Sequence, residues 1–401
     1  MLEELFYIHR KVVEGVPLDF KRSLFTVIDW GSPPLCIFGP RGTGKTTMLL
    51  QHYHEKYHDV EKCLYISADN VEISALGLFK IAKEYFKYGG QALIIDEIHK
   101  YPSWAVELKN IIDTFKNKEI LVSGSSSSEL AQGKTDLSRR LVYYRLNGLS
   151  FREYLELKEG IRLPILSLNN IFESHVKITQ EIVTLGPILK FFKNYLTAGY
   201  YPFFVEGDQT YLSKVLNIIE KALYEDVAAA GNIKKSSIHV LKKILWLVST
   251  SVPFSINIEK LSRDLGISKE YVYVYLRYLE EAGLINSLRS AQKGRSAVRK
   301  PEKIWMENTN LLFAVNHELR SEGERGMVRE TYFVNQLKGR AQMSLSPIGD
   351  FSVAGKQVVE VGGSGKTNRQ IRSIKNSYIA ADEIEIGALN KIPLYLFGML
   401  Y

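Results

Sequence analysis

A glycine-rich segment near the N-terminus has the residue types and the spacing for binding phosphate. Residues 39–46 read GPRGTGKT, follow the apolar run 34–38 and lead into the apolar stretch that begins at Thr47. This is the G-x4-G-K-[ST] pattern in a strand–loop–helix setting. Glycines let backbone N–H groups turn inward around phosphate oxygens, and the following helix points its positive end at the same anion. The setting disfavours a chance glycine-rich turn.

The pattern assigns a role to each polar side chain. Lys45 would place its charge at the β- and γ-phosphates, and Thr46 would offer its hydroxyl to Mg²⁺. We therefore expect ATP with Mg²⁺ as the cofactor. The predicted nucleotide-binding residues are Gly39, Pro40, Arg41, Gly42, Thr43, Gly44, Lys45, Thr46 and Thr47.

Two carboxylates end a second apolar run, residues 92–97, which read ALIIDE. Open α/β sheets bind their ligands at the carboxyl ends of the strands, where both acids would emerge. Asp96 is predicted to hold Mg²⁺ through water, and Glu97 to orient and deprotonate the attacking water. The alternative is a structural acid at a strand end, which the phosphate loop in the same domain disfavours.

Ser123 and two arginines are weaker candidates for the same reaction. Ser123 ends the next apolar run and would contact the γ-phosphate or the water, or else belongs to a serine-rich turn at 125–128. Arg139 or Arg140 would stabilise transition-state charge. Alternatively, the two arginines are solvated or paired with acids. His99 is expected to pack or to form a hydrogen bond rather than to take part in the chemistry.

Three carboxylates in the last hundred residues have the order of a restriction-type nuclease metal site: Glu330, Asp350 and Glu360. In such sites carboxylates hold a divalent cation and a lysine two residues after the second strand acid activates water. Gly362 occupies that position, with Lys366 nearby as a substitute. We expect a nuclease-like fold without cleavage. Residues 365–367 (GKT) are not a second phosphate loop, since Glu360 stands where its first glycine is required.

The net charge of +8 arises from 52 basic and 44 acidic residues, and residues 236–303 alone hold 12 basic against 6 acidic. Their pattern predicts three helices followed by a hairpin, which is the order of elements in a winged helix. Two interpretations remain open, namely sequence-independent contact with DNA phosphates and a solvated hairpin on a protein-contact module. The predicted basic hairpin consists of Arg289, Lys293, Arg295, Arg299, Lys300 and Lys303.

Short apolar runs alternate with helical segments through residues 34–146, at 34–38, 62–67, 92–96, 119–124 and 141–146. This predicts an α/β fold, a P-loop NTPase parallel sheet with helices on both faces. The expected organisation is an ATPase core (1–150), a helical lid (151–235), a winged helix (236–306) and a nuclease-like α/β domain (307–401). The pattern of the last domain predicts two helices, three strands, a helix and a final pair of strands. Tyr271, Tyr275 and Tyr278 are expected in the core of the winged helix.

The motifs in combination resemble the prokaryotic AAA-type ATPases that carry an additional C-terminal domain and are grouped with the archaeal-type signalling ATPases of the STAND class. The resemblance rests on GPRGTGKTT (39–47), LIIDEIHK (93–100), VSGSSSS (122–128), NGLSFREYL (147–155), NYLTAGYYPFF (194–204), EVGGSGKT (360–367) and IPLYLFGMLY (392–401). It implies ATP binding, a lid, a winged helix and a degenerate nuclease-like domain. Ser123 departs from it, where threonine is more usual, and so does Gly362, where a lysine is expected.

These observations favour a regulatory switch ATPase that acts on a protein partner or on itself. The alternatives are an ATP-controlled DNA-binding or DNA-cleaving factor, such as one used against foreign DNA, and a scaffold that binds ATP with little turnover. A cytoplasmic location without membrane contact is expected, because no apolar run reaches the ~18 residues of a membrane span. Cys36 and Cys63 are too few for a disulfide framework.

Overall fold

The apolar runs of the N-terminal part form one parallel sheet in the order β2-β3-β4-β1-β5. β4 therefore lies between the strand that leads into the phosphate loop and the strand that ends in the two acids. The prediction of a parallel sheet is confirmed, with strand ends within one residue of those expected. The strands are β1 Leu35–Phe38, β2 Cys63–Ser67, β3 Ala92–Asp96, β4 Glu119–Gly124 and β5 Val142–Arg145.

The structure is a computed structural model of the chain. It describes residues 1–32, 34–125, 137, 139–207, 209–227, 237–251, 254–255, 257–290, 302–321 and 323–401. These residues divide into two compact units, Met1–Gly148 and Leu149–Tyr401. Among them, no helix is both long enough and apolar enough to cross a membrane.

Helices cover both faces of the first unit's sheet, because successive strand residues point to opposite sides. Leu64 and Ile66 belong to one buried cluster, whereas Cys63 and Tyr65 belong to the other. Both cysteines are free thiols. The helices of this unit are α1 Leu2–Val13, α2 Ser23–Val27, α3 Lys45–Lys56, α4 Val71–Leu76, α5 Leu78–Lys87 and α6 Trp104–Thr114.

The second unit begins with helices: α7 Phe151–Glu159, α8 Leu168–Ile182, α9 Ile188–Ala198 and α10 Tyr211–Lys221. The next group contains α11 Ile238–Thr250, β6 Phe254–Ser255, α12 Ile258–Leu265, α13 Lys269–Glu281, β7 Ile285–Leu288 and β8 Lys303–Met306. Its three strands form an antiparallel sheet in the order β6-β8-β7. Three helices and a hairpin thus occur where the pattern predicts them.

The remainder of the second unit is a mixed sheet with two helices before it. These elements are α14 Thr309–Glu318, α15 Arg325–Leu337, β9 Met343–Leu345, β10 Phe351–Val353, β11 Gln357–Gly362, β12 Ser377–Ala381 and β13 Lys391–Pro393. The sheet order is β13-β12-β11-β10-β9, with β11, β12 and β13 parallel. The sequence pattern predicts a helix between β11 and β12, and this prediction is wrong, since residues 363–376 form turns.

Asn310 on α14 is the centre of a buried polar network in the second unit. Its side chain accepts from the backbone N–H groups of Gly199 and Tyr200 and donates to the carbonyl of Leu196. The hydroxyl of Tyr211 donates to the same amide oxygen. A buried network that is fully paired fixes one arrangement of the chain. It joins residues on both sides of the predicted divisions at 235 and 306, which remain predictions.

Tyr271 is an exception to the expected core of α13. Its side chain is 58 % exposed, whereas that of Tyr275 is buried. The two rings still contact each other, with centroids 5.9 Å apart. Tyr271 lies in the first turn of the helix, next to the buried Val272.

His9 attaches α1 to β2 by a hydrogen bond that requires a neutral ring. Its Nδ1 accepts the backbone N–H of Tyr65 at 2.9 Å, and its side chain is fully buried. Burial, with smaller contributions from Arg10 and His54, lowers the pKa of His9 to about 4.

We expect this attachment to make the first unit sensitive to acid. The pKa of His9 lies near 6.5 in the unfolded chain and about 4 in the folded one, so its stabilising effect is complete above pH 6.5 and is lost as the pH falls toward 4. Between pH 7.5 and pH 5 the loss is roughly 2 kcal/mol. His9→Asn, which can accept the same N–H without titrating, should flatten this part of the profile in calorimetric unfolding. Identical pH profiles for the two proteins would contradict the assignment.

Candidate active site

The phosphate loop connects β1 to α3, which begins at Lys45. Gly42 and Gly44 have φ angles of 75° and 92°, in the left-handed region that glycine adopts without strain. The Lys45 amine donates to the carbonyls of Gly39 and Pro40, at 3.1 and 3.0 Å. The Thr43 hydroxyl also donates to Pro40, at 2.9 Å. The side chains of Thr43 and Lys45 thus both bind carbonyl groups of the loop itself.

Gly39 is required for a steric reason. A Cβ atom at this position would lie 2.1 Å from the carbonyl oxygen of Leu146. The backbone N–H of Leu146 in turn donates to the Phe38 carbonyl at 2.8 Å. The first glycine of the motif is thus pressed against the segment that follows β5.

Asp96 is the centre of the hydrogen-bond network at the carboxyl edge of the sheet. Its Oδ2 accepts from the Thr46 hydroxyl at 2.7 Å and from the Tyr65 hydroxyl at 3.0 Å. Its Oδ1 accepts from the Ser123 hydroxyl. The structure thereby brings Thr46 and Ser123 to Asp96, from which they lie 50 and 27 residues away in the sequence.

Glu97 follows Asp96 in an unusual backbone conformation, with a φ angle of 50°. A non-glycine residue held in this region costs of order 1–3 kcal/mol, and such residues cluster at functional sites. Its N–H donates to Ser123 Oγ at 3.1 Å. The Oε2 atom lies 3.3 Å from His99 Nε2, while His99 Nδ1 accepts the Ser125 N–H at 3.3 Å. His99 is thus in contact with Glu97, consistent with its expected hydrogen-bonding role.

Tyr65 is a member of the site that the sequence pattern does not reveal. It lies within the apolar run of β2, and its side chain is 5 % exposed. Burial raises the pKa of its phenol well above the usual range, and the neighbouring Asp96 charge raises it further. Tyr65 therefore remains a hydrogen-bond donor to Asp96 at physiological pH. The one sequence feature that could have indicated this contact is Asp96, a hydrogen-bond acceptor at the end of the adjacent strand β3.

The two arginines differ in their surroundings. The guanidinium of Arg140 donates from Nε and Nη2 to both carboxylate oxygens of Asp113 on α6, at 2.7 and 3.0 Å. This contact lowers the pKa of Asp113. Arg139 is exposed. Of the two interpretations of Arg140, pairing with an acid is the one found in this structure. Ser126, Ser127 and Ser128 lie outside the described residues.

The carboxylates of the second unit are held by lysines and by the backbone. Glu330 on α15 accepts from the Lys303 amine and the Trp305 indole N–H, both at 3.0 Å. Asp350 accepts the Val361 N–H at 2.8 Å. Burial raises the pKa of Glu330 and Lys303 opposes that shift.

Glu360 lies 2.9 Å from the Lys366 amine, and the aliphatic part of Lys366 lies directly against Gly362. The glycine at the expected lysine position thus leaves room for Lys366. The hydrogen bond that the Lys366 amine donates to Glu360 raises the pKa of Lys366. Within the described ranges, no group of three His, Cys, Asp or Glu side chains is placed to hold a metal ion. The metal set of Glu330, Asp350 and Glu360 remains a prediction, and in this structure Glu330 and Glu360 each pair with a lysine.

Lys303, a predicted member of the basic hairpin, lies on β8 with its side chain 18 % exposed and paired with Glu330. Arg289 follows β7, and its backbone carbonyl accepts the Leu345 N–H at 2.9 Å. The other four predicted members, Lys293, Arg295, Arg299 and Lys300, lie outside the described residues.

Comparison with known proteins agrees with the geometry of the first unit. Residues 31–155 match the family model of an AAA domain. The first unit therefore has a P-loop ATPase-like fold with an AAA domain. A second match, over residues 189–321, is to a domain of unknown function (DUF8612). It spans the residues that the Asn310 network joins.

One curated relative is an uncharacterized protein of Methanocaldococcus jannaschii, which is 29 % identical over 299 residues. The match covers 71 % of this chain and 63 % of that protein, so the chain spans less than two thirds of its relative's length.

Two solved structures are similar at low identity. A Walker-type ATPase of Pyrococcus abyssi is 12 % identical with a TM-score of 0.38, and the match covers 70 % of this chain and 90 % of that chain. The Orc1 protein of Aeropyrum pernix, solved in complex with DNA, is 14 % identical with a TM-score of 0.33, covering 78 % and 93 %. Since both TM-scores are below 0.5, neither likeness bears on function.

Gly39→Ala tests the steric requirement in the AAA domain. Because the new methyl group would overlap the Leu146 carbonyl, we expect the phosphate loop to shift. The affinity for a fluorescent ATP analogue should then fall about tenfold or more, which corresponds to a loss of ~1.4 kcal/mol or more in binding free energy. Gly15→Ala is the matched control, since a Cβ there meets nothing within 4 Å. Equal affinities for the two variants would contradict the steric argument.

Lys303→Met tests the internal ion pair of the second unit. Removing one partner leaves Glu330 buried without its counter-charge, which costs about 3 kcal/mol of unfolding free energy at pH 7. The loss should shrink as the pH falls toward the unfolded pKa of glutamate, since a protonated Glu330 needs no partner. Lys269→Met, which breaks the exposed pair with Glu259, is the control and should change stability by less than ~1 kcal/mol. Equal losses in urea unfolding would show that Glu330 is not compensated by Lys303.

Proposed function

We propose that the chain binds ATP with Mg²⁺, hydrolyses it to ADP and phosphate, and uses the nucleotide state to regulate its second unit. The observation that carries this proposal is the hydrogen-bond network that joins Thr46, Asp96, Ser123 and the backbone of Glu97 beside the phosphate loop. A phosphate loop alone would support binding. The addition of an acidic pair at the same sheet edge supports hydrolysis.

The chemistry of the side chains fits a magnesium–nucleotide complex. Thr46 and Asp96 present oxygen atoms 2.7 Å apart, and oxygen is the ligand type that Mg²⁺ prefers. The loop offers backbone N–H groups and the start of α3 to phosphate oxygens. Bound Mg²⁺ would neutralise charge on the β- and γ-phosphate oxygens. Lys45 would exchange its contacts with Gly39 and Pro40 for phosphate oxygens.

Glu97 is proposed as the residue that orients and deprotonates water. The water oxygen attacks the γ-phosphorus, the bond to the β–γ bridging oxygen breaks, and the Glu97 carboxylate accepts the proton. The strained backbone of Glu97 and the adjacent His99 ring hold the carboxylate at the sheet edge. Ser123 is proposed to sense the γ-phosphate, because its hydroxyl lies between Asp96 and the Glu97 backbone.

The second unit is proposed to contain a winged helix and a nuclease-like domain that does not cleave. The three helices and the antiparallel sheet β6-β8-β7 support the first part. The lysine-paired carboxylates Glu330 and Glu360 support the second. Contact with a protein or with another part of the chain is favoured over DNA, since Lys269 and Arg277 on α13 pair with Glu259 and Glu281 and Lys303 pairs with Glu330.

Two substitutions separate binding from turnover. Lys45→Ala should abolish ATP binding, because it removes the charge that meets the β- and γ-phosphates. Glu97→Gln should keep binding and lower the rate of phosphate release by about 10²-fold or more, since the amide cannot accept the proton. Both are measured on the full chain by fluorescent-nucleotide titration and by phosphate release.

Unchanged ATP affinity in Lys45→Ala would contradict the proposed site. Undiminished hydrolysis in Glu97→Gln would exclude Glu97 as the base. A wild-type protein that binds ATP but releases no phosphate would instead favour a nucleotide-binding scaffold.

A further inference from the structure

Arg22 is a buried guanidinium that lies between the phosphate loop and the last residues of the first unit. It immediately precedes α2, and its side chain is 5 % exposed. Nη1 donates to the Thr43 carbonyl at 2.8 Å, and Nη2 donates to the carbonyls of Asn147 and Gly148, each at 2.8 Å. No sequence motif contains this residue, and the proposed hydrolysis does not use it.

The contact with Thr43 fixes the orientation of one peptide group in the phosphate loop. In a planar trans peptide the carbonyl and the following N–H point in opposite directions. Since Arg22 binds the Thr43 carbonyl, the N–H of Gly44 points away from the guanidinium. Phosphate loops bind their ligand through backbone N–H groups. Arg22 therefore fixes the orientation of one such N–H group.

The same guanidinium holds the segment Leu146–Gly148, after which the chain continues into the second unit at Leu149. This segment is already close to the loop, because the Leu146 carbonyl lies against Gly39. The loop and the segment are thus connected at two points, one steric and one by hydrogen bonds. A displacement of the loop will therefore displace the segment, and a displacement of the segment will displace the loop.

The planar fork of arginine suits this position. Three carbonyl oxygens in two separate chain segments accept from two different nitrogens of one rigid group. A lysine amine carries the same charge as a single point and cannot reproduce that geometry. The segment that precedes Arg22 is also held in place, since the Gln51 amide on α3 donates to the carbonyls of Pro17 and Phe20, both at 2.8 Å.

We propose that Arg22 is a positioning residue that couples phosphate binding to the segment Leu146–Gly148, and so transmits the nucleotide state toward the second unit. The inference rests on the proposed nucleotide site. Occupation of the loop fixes the Thr43–Gly44 peptide, and the guanidinium passes that constraint to the Asn147 and Gly148 carbonyls. Conversely, displacement of the segment weakens phosphate binding.

The test compares Arg22→Lys with Arg145→Lys in the full chain. Arg145 is an exposed residue of β5 whose Nε donates to the Asn147 side chain at 3.0 Å, so it undergoes the same chemical change beside the same segment. Affinity is measured with a fluorescent ATP analogue. Coupling is measured by hydrogen exchange of backbone amides in residues 144–150, with and without ATP and Mg²⁺.

In the wild type and in Arg145→Lys, nucleotide should slow exchange in residues 144–150. In Arg22→Lys, affinity should fall about tenfold, as expected for lost charge-assisted hydrogen bonds, and the exchange response should disappear even at saturating nucleotide. Wild-type affinity together with a wild-type exchange response in Arg22→Lys would overturn the proposal. A wild-type protein that binds no nucleotide would instead refute the proposed function.

A second comparison covers the case in which Arg22→Lys does not fold, as judged by the loss of its cooperative thermal transition. The exchange of residues 144–150 is then compared between wild type and Lys45→Ala on addition of ATP. Slower exchange in the wild type alone supports the coupling. Unchanged exchange in a wild-type protein that has bound ATP overturns it.

Discussion

The hydrogen bond between Thr46 and Asp96 is the interaction on which the site depends. It joins the first turn of α3 to the end of β3, although β4 lies between β3 and the strand that leads into α3. The contact is possible only because all three strands are parallel and end at one edge of the sheet. Ser123, at the end of the intervening β4, completes the bridge. The topology of the sheet therefore determines which polar groups can meet a nucleotide.

Two buried groups behind this edge connect it to the rest of the first unit. Tyr65 donates to Asp96 through its hydroxyl and to His9 through its backbone, so the N-terminal helix contacts a strand that also supports the acidic pair. Arg22 connects the other side of the phosphate loop to Asn147 and Gly148. Buried polar groups of this kind cost free energy unless they are paired, and their pairing fixes a single arrangement. The N-terminal residues are thus part of the site's support.

The strands and the core of the site could be predicted because their signals are local. Residues 92–97 form a continuous apolar run that ends in two acids, and residues 39–46 contain their whole motif in eight positions. Arg22 and Tyr65 could not be found in this way, because their partners are 21 and 31 or more residues distant and no pattern of residue types joins them. The polar segment 363–376 was expected to contain a helix, but its Gly363 and Gly365 and the ion pair of Lys366 favour turns. Local spacing placed Glu330, Asp350 and Glu360 together and indicated Lys366 as a neighbour, but it did not reveal that Lys303 pairs with Glu330.

The central claim is that the first unit forms a magnesium-dependent ATP site, and calorimetric titration of ATP into the full-length protein tests it most directly. One titration contains Mg²⁺ and the other a chelator. Because Thr46 and Asp96 offer paired oxygen atoms beside the phosphate loop, we expect one ATP per chain and at least about tenfold tighter binding with Mg²⁺, a difference of roughly 1.4 kcal/mol. The absence of binding, or equal affinity with and without Mg²⁺, would contradict the account.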